Sequence, residues 1–272
     1  MKPTQGTVRS KDGTSIAYER SGHGPAVILV AAALSDRSDT AKLARLLSDR
    51  FTVINYDRRG RGASGDTPPY SIEREVEDVG ALIHEAGGEA VLFGSSSGAV
   101  LAIEAANQLG LKVRKAALYE PPFIIDSSRP PMSADFARDV DDLLRAGRRN
   151  DVVKLMMTRG MGIPAFAVFL MRWLMPGWSK MVGMAHTLPY DLRILEGTQT
   201  GVPLPTSRWR NVVCPTLVLT GGKSEPFFHS GAEALAGLLP AAEHRVLEGH
   251  HHGSVVMAPK SFAALLGDFF NS

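Results

Sequence analysis

The stretch of sequence that decides the fold is residues 91–100, which run Val91-Leu92-Phe93-Gly94-Ser95-Ser96-Ser97-Gly98-Ala99-Val100. An apolar run typical of a buried strand ends in a G-x-S-x-G turn, and residues with helical periodicity follow it. A serine hydroxyl is a poor nucleophile unless a sharp turn projects it towards a base, and flanking glycines let the backbone fold that tightly. We therefore predict Ser96 as a catalytic nucleophile, in preference to an ordinary Gly/Ser-rich loop.

Strand and helix patterns alternate on both sides of this turn. We predict strands at residues 15–20, 26–30, 51–56, 90–93 and 113–119, with helices at 41–47, from 72 onward and at 99–108. This alternation is typical of a mostly parallel sheet with helices on both faces. It stops at Pro121-Pro122, gives way to helical periodicity alone, and resumes after Cys214-Pro215. The pattern predicts an α/β core in two parts, 1–122 and 211–272, with a helical insertion at 123–210.

Composition excludes several classes of protein. The 272 residues carry a formal net charge of +2, whereas nucleic-acid and anionic-membrane partners normally require a concentrated basic excess. Cys214 is the single cysteine, so an intrachain disulfide is impossible. The apolar runs are shorter than the roughly 18–20 residues of a membrane span, and the polar N-terminus lacks a signal-peptide core. We expect a cytoplasmic monomer or homodimer that acts on a small molecule.

A second glycine-rich turn matches a nucleotide-binding pattern. Residues Gly60–Gly65 fit G-x-G-x-x-G and follow a predicted strand. A dinucleotide-binding turn opens directly into a helix, whereas Pro68-Pro69 intervene here and the helix begins only near Ser71. A structural turn braced by Asp57 and its arginines is the better interpretation, and we expect no cofactor.

The chain resembles the α/β-hydrolase superfamily over nearly its whole length. The resemblance rests on residues 26–34, on Tyr56–Gly62, on the turn around Ser96 and on 247–252 with Ala258-Pro259. It implies a mostly parallel eight-stranded sheet, a variable cap in place of the helical insertion, and a serine, an acid and a histidine that act together. Relatives with an aspartate nucleophile are disfavoured because position 96 is serine.

The histidine is expected after the last strand, within the run His250-His251-His252. Relatives often place their base a few residues after a glycine and seven before a proline, and Gly249 and Pro259 both then indicate His252. His251 is the alternative. A metal site is disfavoured because adjacent side chains diverge and no H-x-x-x-H spacing is present.

The acid is the largest departure from the superfamily's pattern. Where relatives have G-x-x-D after the next-to-last core strand, this chain has Ser224 in the aspartate position, and a serine cannot stabilise a charged imidazole as a carboxylate does. Glu120 ends the predicted strand at 113–119, where some relatives carry an acid that serves the histidine, and it would face the functional edge of the sheet. We predict Glu120 as the acid, with Glu225 as the alternative.

The remaining site residues concern the oxyanion and the substrate. Ala31-Ala32-Ala33-Leu34 replaces the usual His-Gly, yet the resemblance implies that the backbone N–H groups of Ala33 and Ser97 would hold the oxyanion. Eight of the ten methionines lie between Met132 and Met184, and all three tryptophans between Trp173 and Trp209. Such side chains suit an apolar pocket, so we expect Leu34, Trp173 and Trp178 to contact the substrate.

Together these residues predict a cofactor-free serine hydrolase that cleaves an ester or lactone of a hydrophobic small molecule through an acyl-enzyme. Two alternatives remain open, because a fold does not fix a function. One is a non-hydrolytic enzyme of the same fold that performs C–C cleavage, cyclisation or decarboxylation. The other is a ligand-binding protein without activity.

Overall fold

A computed structural model describes residues 3–271 of the chain. Its centre is an eight-stranded sheet with the strand order β1-β2-β4-β3-β5-β6-β7-β8. The pairs β1/β2 and β2/β4 are antiparallel, and every other neighbouring pair is parallel. The strands are β1 (Thr4–Arg9), β2 (Ser15–Ser21), β3 (Ala26–Val30), β4 (Thr52–Tyr56), β5 (Ala90–Ser95), β6 (Val113–Tyr119), β7 (Thr216–Gly221) and β8 (Ala242–Leu247).

Helices connect the parallel strands and cover both faces of the sheet, which confirms the predicted fold class. The helices of the core are α1 (Arg37–Leu47), α2 (Ile72–Glu85), α3 (Ser97–Leu109), α9 (Pro226–Leu238), α10 (Ser254–Met257) and α11 (Pro259–Asn271). Between β6 and β7 lie α4 (Asp135–Arg145), α5 (Arg149–Leu155), a π-helical turn (Met156–Gly160), α6 (Ala165–Leu174), α7 (Trp178–Met184) and α8 (Leu188–Ile194). We refer to these helices as the helical insertion.

The continuous apolar runs of the central strands arise because the strands are buried on both faces. In β3, Ile28 and Val30 join the apolar cluster under α2 and α3, while Val27 and Leu29 face the cluster formed with α1 and α11. All four side chains are almost fully buried, and each contributes about 1.5–3 kcal/mol relative to an exposed position. Burial on both faces therefore explains why no polar alternation is visible in these segments.

Two elements differ from the sequence-based prediction. Strand β1 was not predicted, because it is a polar edge strand whose side chains are largely exposed, so it lacks an apolar pattern. The apolar pattern predicts a helix over Gly231–Leu238, whereas α9 begins five residues earlier at Pro226, since proline is favoured in the first turn of a helix.

The helical insertion has an apolar cluster of its own and packs over the carboxyl ends of the strands. Buried members of this cluster include Phe136, Val140, Trp178 and Leu188, and Leu34 of the core joins them. The division of the chain at 122/123 and 210/211 stays a prediction. Within residues 3–271 no helix combines the length and the apolar character that a bilayer span requires.

Candidate active site

Ser96 occupies a strained turn between β5 and α3. Its backbone has φ 55° and ψ −127°, and a positive φ is uncommon for a residue other than glycine. The turn is possible because both flanking positions are glycine. A Cβ at Gly94 would lie 2.2 Å from the carbonyl oxygen of Gly98, and a Cβ at Gly98 would lie 2.5 Å from that of Val30. The glycines therefore let α3 approach the end of β3 and leave Ser96 at the tip of the turn.

Glu120 and His252 form a hydrogen-bonded pair behind this turn. Oε2 of Glu120 lies 2.7 Å from Nδ1 of His252, and the Glu120 side chain is fully buried. Glu120 follows the last residue of β6 and has φ 48°, which turns its carboxylate towards the histidine loop after β8. Sequence reasoning named these two residues, and the structure brings them together.

Two further donors hold the carboxylate of Glu120. Its Oε1 accepts a hydrogen bond of 2.6 Å from the N–H of Gly221 and another from the hydroxyl of Ser224. Burial by itself raises the pKa of Glu120, but the bonds and charge of His252, together with these two donors, outweigh burial and lower the pKa. The hydroxyl of Ser224 thus bonds the carboxylate of Glu120 rather than the imidazole of His252.

The ionised carboxylate determines which ring nitrogen of His252 carries the proton in the neutral imidazole. A carboxylate can only accept hydrogen bonds, so Nδ1 of His252 carries the proton and Nε2 is left with a free lone pair. The ring stacks on Phe228, with centroids 4.6 Å apart and an interplanar angle of 19°. His252 therefore has one orientation, which is what a general base requires.

The alternative acid and base have other partners, although Glu225 borders the same cavity as Ser96. His251 is exposed, and its Nδ1 accepts a hydrogen bond from the N–H of Gly253. Glu225 is the residue before α9, its side chain is largely exposed, and it lies 3.4 Å from Arg129. Neither side chain bonds the partner that the prediction required.

The two N–H groups that are expected to hold an oxyanion lie on the loop after β3, at Ala33, and at the start of α3, at Ser97. Within residues 3–271, neither the N–H of Ala33 nor that of Ser97 donates to another residue, and both residues line the same cavity as Ser96. Leu34 has φ 54°, so the non-glycine residues with positive φ in the described chain are Leu34, Ser96 and Glu120. Each such residue stores about 1–3 kcal/mol of strain, and such strain collects at functional sites.

A cavity of about 310 Å³ joins these groups. Ser96 and His252 both line it, although no hydrogen bond joins their side chains in the described structure. Its wall is mainly apolar and includes Leu34 and five methionines of the helical insertion and its approach: Met132, Met156, Met157, Met161 and Met181. The predictions for Leu34 and for the methionine cluster therefore agree with where the side chains lie.

The predictions for two tryptophans are wrong. Trp173 is 70% exposed on the outer face of α6, away from the cavity. Trp178 is buried inside the helical insertion, where its indole N–H donates to Asn150 over 2.9 Å. Both lie in the expected part of the chain, but α6 and α7 turn them away from Ser96, and helix orientation cannot be obtained from composition.

Comparison with known proteins shows the family to which the chain belongs. A family model described as "Alpha/beta hydrolase family" matches residues 22–265 of the chain. The chain belongs to the alpha/beta hydrolase family. An alpha/beta hydrolase from Sphaerobacter thermophilus is 48% identical, with a TM-score of 0.89 over 97% of this chain and 100% of that one.

Two further comparisons are more distant, one with a solved structure and one with a curated sequence. The enol-lactonase from Burkholderia xenovorans LB400 is 20% identical, with a TM-score of 0.73 over 98% of this chain and all of that chain. The uncharacterized hydrolase YraK of Bacillus subtilis is 29% identical over 150 residues, which are 53% of this chain and 54% of YraK. The chain thus spans about half the length of that curated relative.

Sequence reasoning missed one buried carboxylate that borders the cavity of this alpha/beta hydrolase. Asp191 of α8 accepts hydrogen bonds from Arg58, Arg61 and the hydroxyl of Ser97. No motif marks Asp191 in the sequence. The available signal is weak: it consists of an acid within the helical insertion and two arginines in the turn before Gly62, which together are compatible with a buried ion pair. Among residues 3–271, no group of three or more His, Cys, Asp or Glu side chains is arranged to hold a metal ion.

Proposed function

We propose that this protein is a serine hydrolase that cleaves an ester or lactone of a hydrophobic small molecule. The observation that carries the proposal is the Glu120–His252 pair at 2.7 Å, because the cavity that His252 lines also contains Ser96 on a strained turn. A buried carboxylate, an oriented imidazole and a half-buried hydroxyl that borders the cavity are the parts that nucleophilic acyl transfer needs.

The reaction proceeds in two halves. Nε2 of His252 takes the proton of Ser96 Oγ as this oxygen attacks the carbonyl carbon, and the N–H groups of Ala33 and Ser97 stabilise the tetrahedral oxyanion. His252 then gives that proton to the leaving alcohol, and the acyl-enzyme remains. Water next loses a proton to His252 and attacks the acyl carbon, after which the proton returns to Ser96 and the acid leaves. Glu120 keeps its charge and offsets that of the imidazolium throughout.

The substrate class follows from the wall of the cavity. The five methionines and Leu34 present flexible apolar surface that adapts to bulky groups. The likeness to an enol-lactonase supports a lactone or ester as the substrate, and the 48% identical alpha/beta hydrolase supports hydrolysis as the reaction class.

A fluorophosphonate probe and a panel of aryl esters and lactones test the proposal. We expect the wild type to be labelled and to turn over at least one apolar ester or lactone, and Ser96→Ala to lose both properties while keeping its thermal melting temperature. An unlabelled and inert wild type that still binds aryl ligands would instead indicate a binding protein. Labelling without turnover of any ester or lactone would favour one of the non-hydrolytic reactions of this fold.

A further inference from the structure

Asp191 is a buried carboxylate that extends from the helical insertion into the core. It lies in α8, and its side chain is 1% exposed. Its Oδ1 accepts hydrogen bonds of 2.7 Å from Nη1 of Arg58 and 2.7 Å from Oγ of Ser97, and its Oδ2 accepts one of 2.6 Å from Nη2 of Arg61. One carboxylate thus contacts the residue that follows the nucleophile and two arginines of the turn after β4.

The same two arginines hold the loop after β3. Nη1 of Arg61 donates to the carbonyl of Ala32 over 2.6 Å and to that of Ser35 over 3.3 Å. Nη1 of Arg58 donates to the carbonyl of Ala31 over 3.3 Å. These carbonyls flank Ala33, which lines the cavity. Two guanidinium groups therefore set the path of this loop, which begins with neither glycine nor histidine.

The charges in this network balance only when Asp191 is ionised. Arg58 has a second partner, Glu75, at 2.7 Å, whereas the ion partner recorded for Arg61 within residues 3–271 is Asp191. Both arginines are fully buried. A buried cation without a counter-charge is costly. The guanidinium of Arg61 therefore depends on the carboxylate of Asp191 for its counter-charge.

We propose that Asp191 is a positioning residue that aligns the two halves of the oxyanion hole, holding the Ser97 half directly and the Ala33 half through Arg58 and Arg61. The inference rests on the proposed function, because an oxyanion hole has meaning only for acyl transfer. Asp191 itself does not touch the reacting atoms. Its position in α8 also links the helical insertion to catalysis, since a displacement of α8 moves both donors.

A second ion pair joins α3 to Arg208, which follows α8 and donates to the carbonyl of Ile194 in that helix, and this pair serves as a matched control. Glu104 of α3 accepts from Nε of Arg208 over 2.8 Å and from the indole of Trp209 over 2.9 Å. Glu104 is also nearly buried and also sits on α3, but it does not line the cavity. Loss of this pair should weaken the attachment of α3 to the segment around Arg208 and leave the N–H groups of Ala33 and Ser97 in place.

Three variants separate positioning from stability. Ser97→Ala removes one hydrogen bond to Asp191 and leaves all the charges in place. Asp191→Asn leaves Arg61 unpaired, so both stability and activity should fall. The double variant Asp191→Asn with Arg61→Met removes a cation and an anion together, which restores the charge balance but leaves Ala32 and Ser35 without their donor. Glu104→Gln is the control.

The measurements are kcat and KM with a p-nitrophenyl ester, the inhibition constant of phenylboronic acid, and the melting temperature. Phenylboronic acid forms a tetrahedral adduct with a serine and places an oxygen in the oxyanion hole. For Ser97→Ala we expect kcat to fall about tenfold with KM within about twofold, and the boronate inhibition constant to rise by a similar factor. The double variant should have a higher melting temperature than Asp191→Asn but the same low kcat. Glu104→Gln should have a lower melting temperature than the wild type and an unchanged kcat.

Each result has a defined meaning. If the double variant recovers kcat together with its melting temperature, or if Ser97→Ala keeps both kcat and boronate affinity, Asp191 is only structural and the inference is overturned. If Glu104→Gln loses kcat as strongly as Ser97→Ala, detachment of the helical insertion explains the loss, which also overturns it. A wild type that neither reacts with a fluorophosphonate nor cleaves any ester overturns the proposed function, and the inference fails with it.

Discussion

Oε2 of Glu120 lies 2.7 Å from Nδ1 of His252, although 132 residues separate them in the chain. The contact forms because β6 and β7 are neighbours in the sheet and the loop after β8 folds back over their ends. A carboxylate at the end of β6 thereby contacts the histidine loop, and Ser224, which follows β7, donates to the same carboxylate.

This relationship predicts the outcome of two isosteric substitutions. Glu120→Gln keeps the shape of the side chain but removes the charge that offsets the imidazolium, so we expect kcat to fall by about 100-fold or more. Glu225→Gln is the control and should change kcat by less than about threefold, because its exposed carboxylate pairs only weakly with Arg129. Steady-state kinetics with one ester checks both, and the reverse ranking would identify Glu225 as the acid.

The pKa of Glu120 predicts how stability depends on pH. Burial by itself raises the pKa of Glu120, but the hydrogen bond and the charge of His252 outweigh it, so the pKa is lowered in the folded protein from its ordinary value of 4.5. A lowered pKa gives stability that is complete above the unfolded value and is lost as the pH falls through the folded value. The free energy of unfolding, measured in urea, should therefore decrease for the wild type relative to Glu120→Gln as the pH falls from 7 to below 4. A difference that stays constant over this range would contradict the pKa direction.

The glycines of the elbow predict a third result. In Gly98→Ala the new methyl group would lie 2.5 Å from the carbonyl of Val30 and 2.6 Å from that of Ala31, so α3 must move away from β3. We expect loss of most activity together with a lower melting temperature. Gly237→Ala is the matched control, because its Cβ meets nothing within 4 Å and alanine favours a helix by about 0.5–1 kcal/mol. Full activity in Gly98→Ala would show that the elbow tolerates a wider turn.

The cavity wall predicts a change in substrate preference. Met161→Trp places a larger side chain in the cavity, so kcat/KM for an aryl ester with a bulky acyl group should fall at least about tenfold more than for the acetate. Trp173→Ala should leave both values within about twofold, because Trp173 lies on the outer face of α6. If Trp173→Ala alone lowers kcat/KM for the bulky ester, the substrate extends beyond the cavity described here.

The sequence by itself determined the fold class and the position of the nucleophile turn. Both depend on local properties of the chain: the period of the apolar residues, and the glycines that a tight turn requires at 94 and 98. The same local signals failed at β1, since an exposed edge strand needs no apolar pattern. They also left open which acid and which histidine belong together.

Only the tertiary structure decided the contacts between distant residues. It brought Glu120 to His252, turned Trp173 away from the cavity, and joined Asp191 to Ser97 across 94 residues. The reason is physical: such contacts depend on how the helical insertion packs against the ends of the strands, and that packing is set by the fit of many buried side chains at once. No single segment of sequence contains that information.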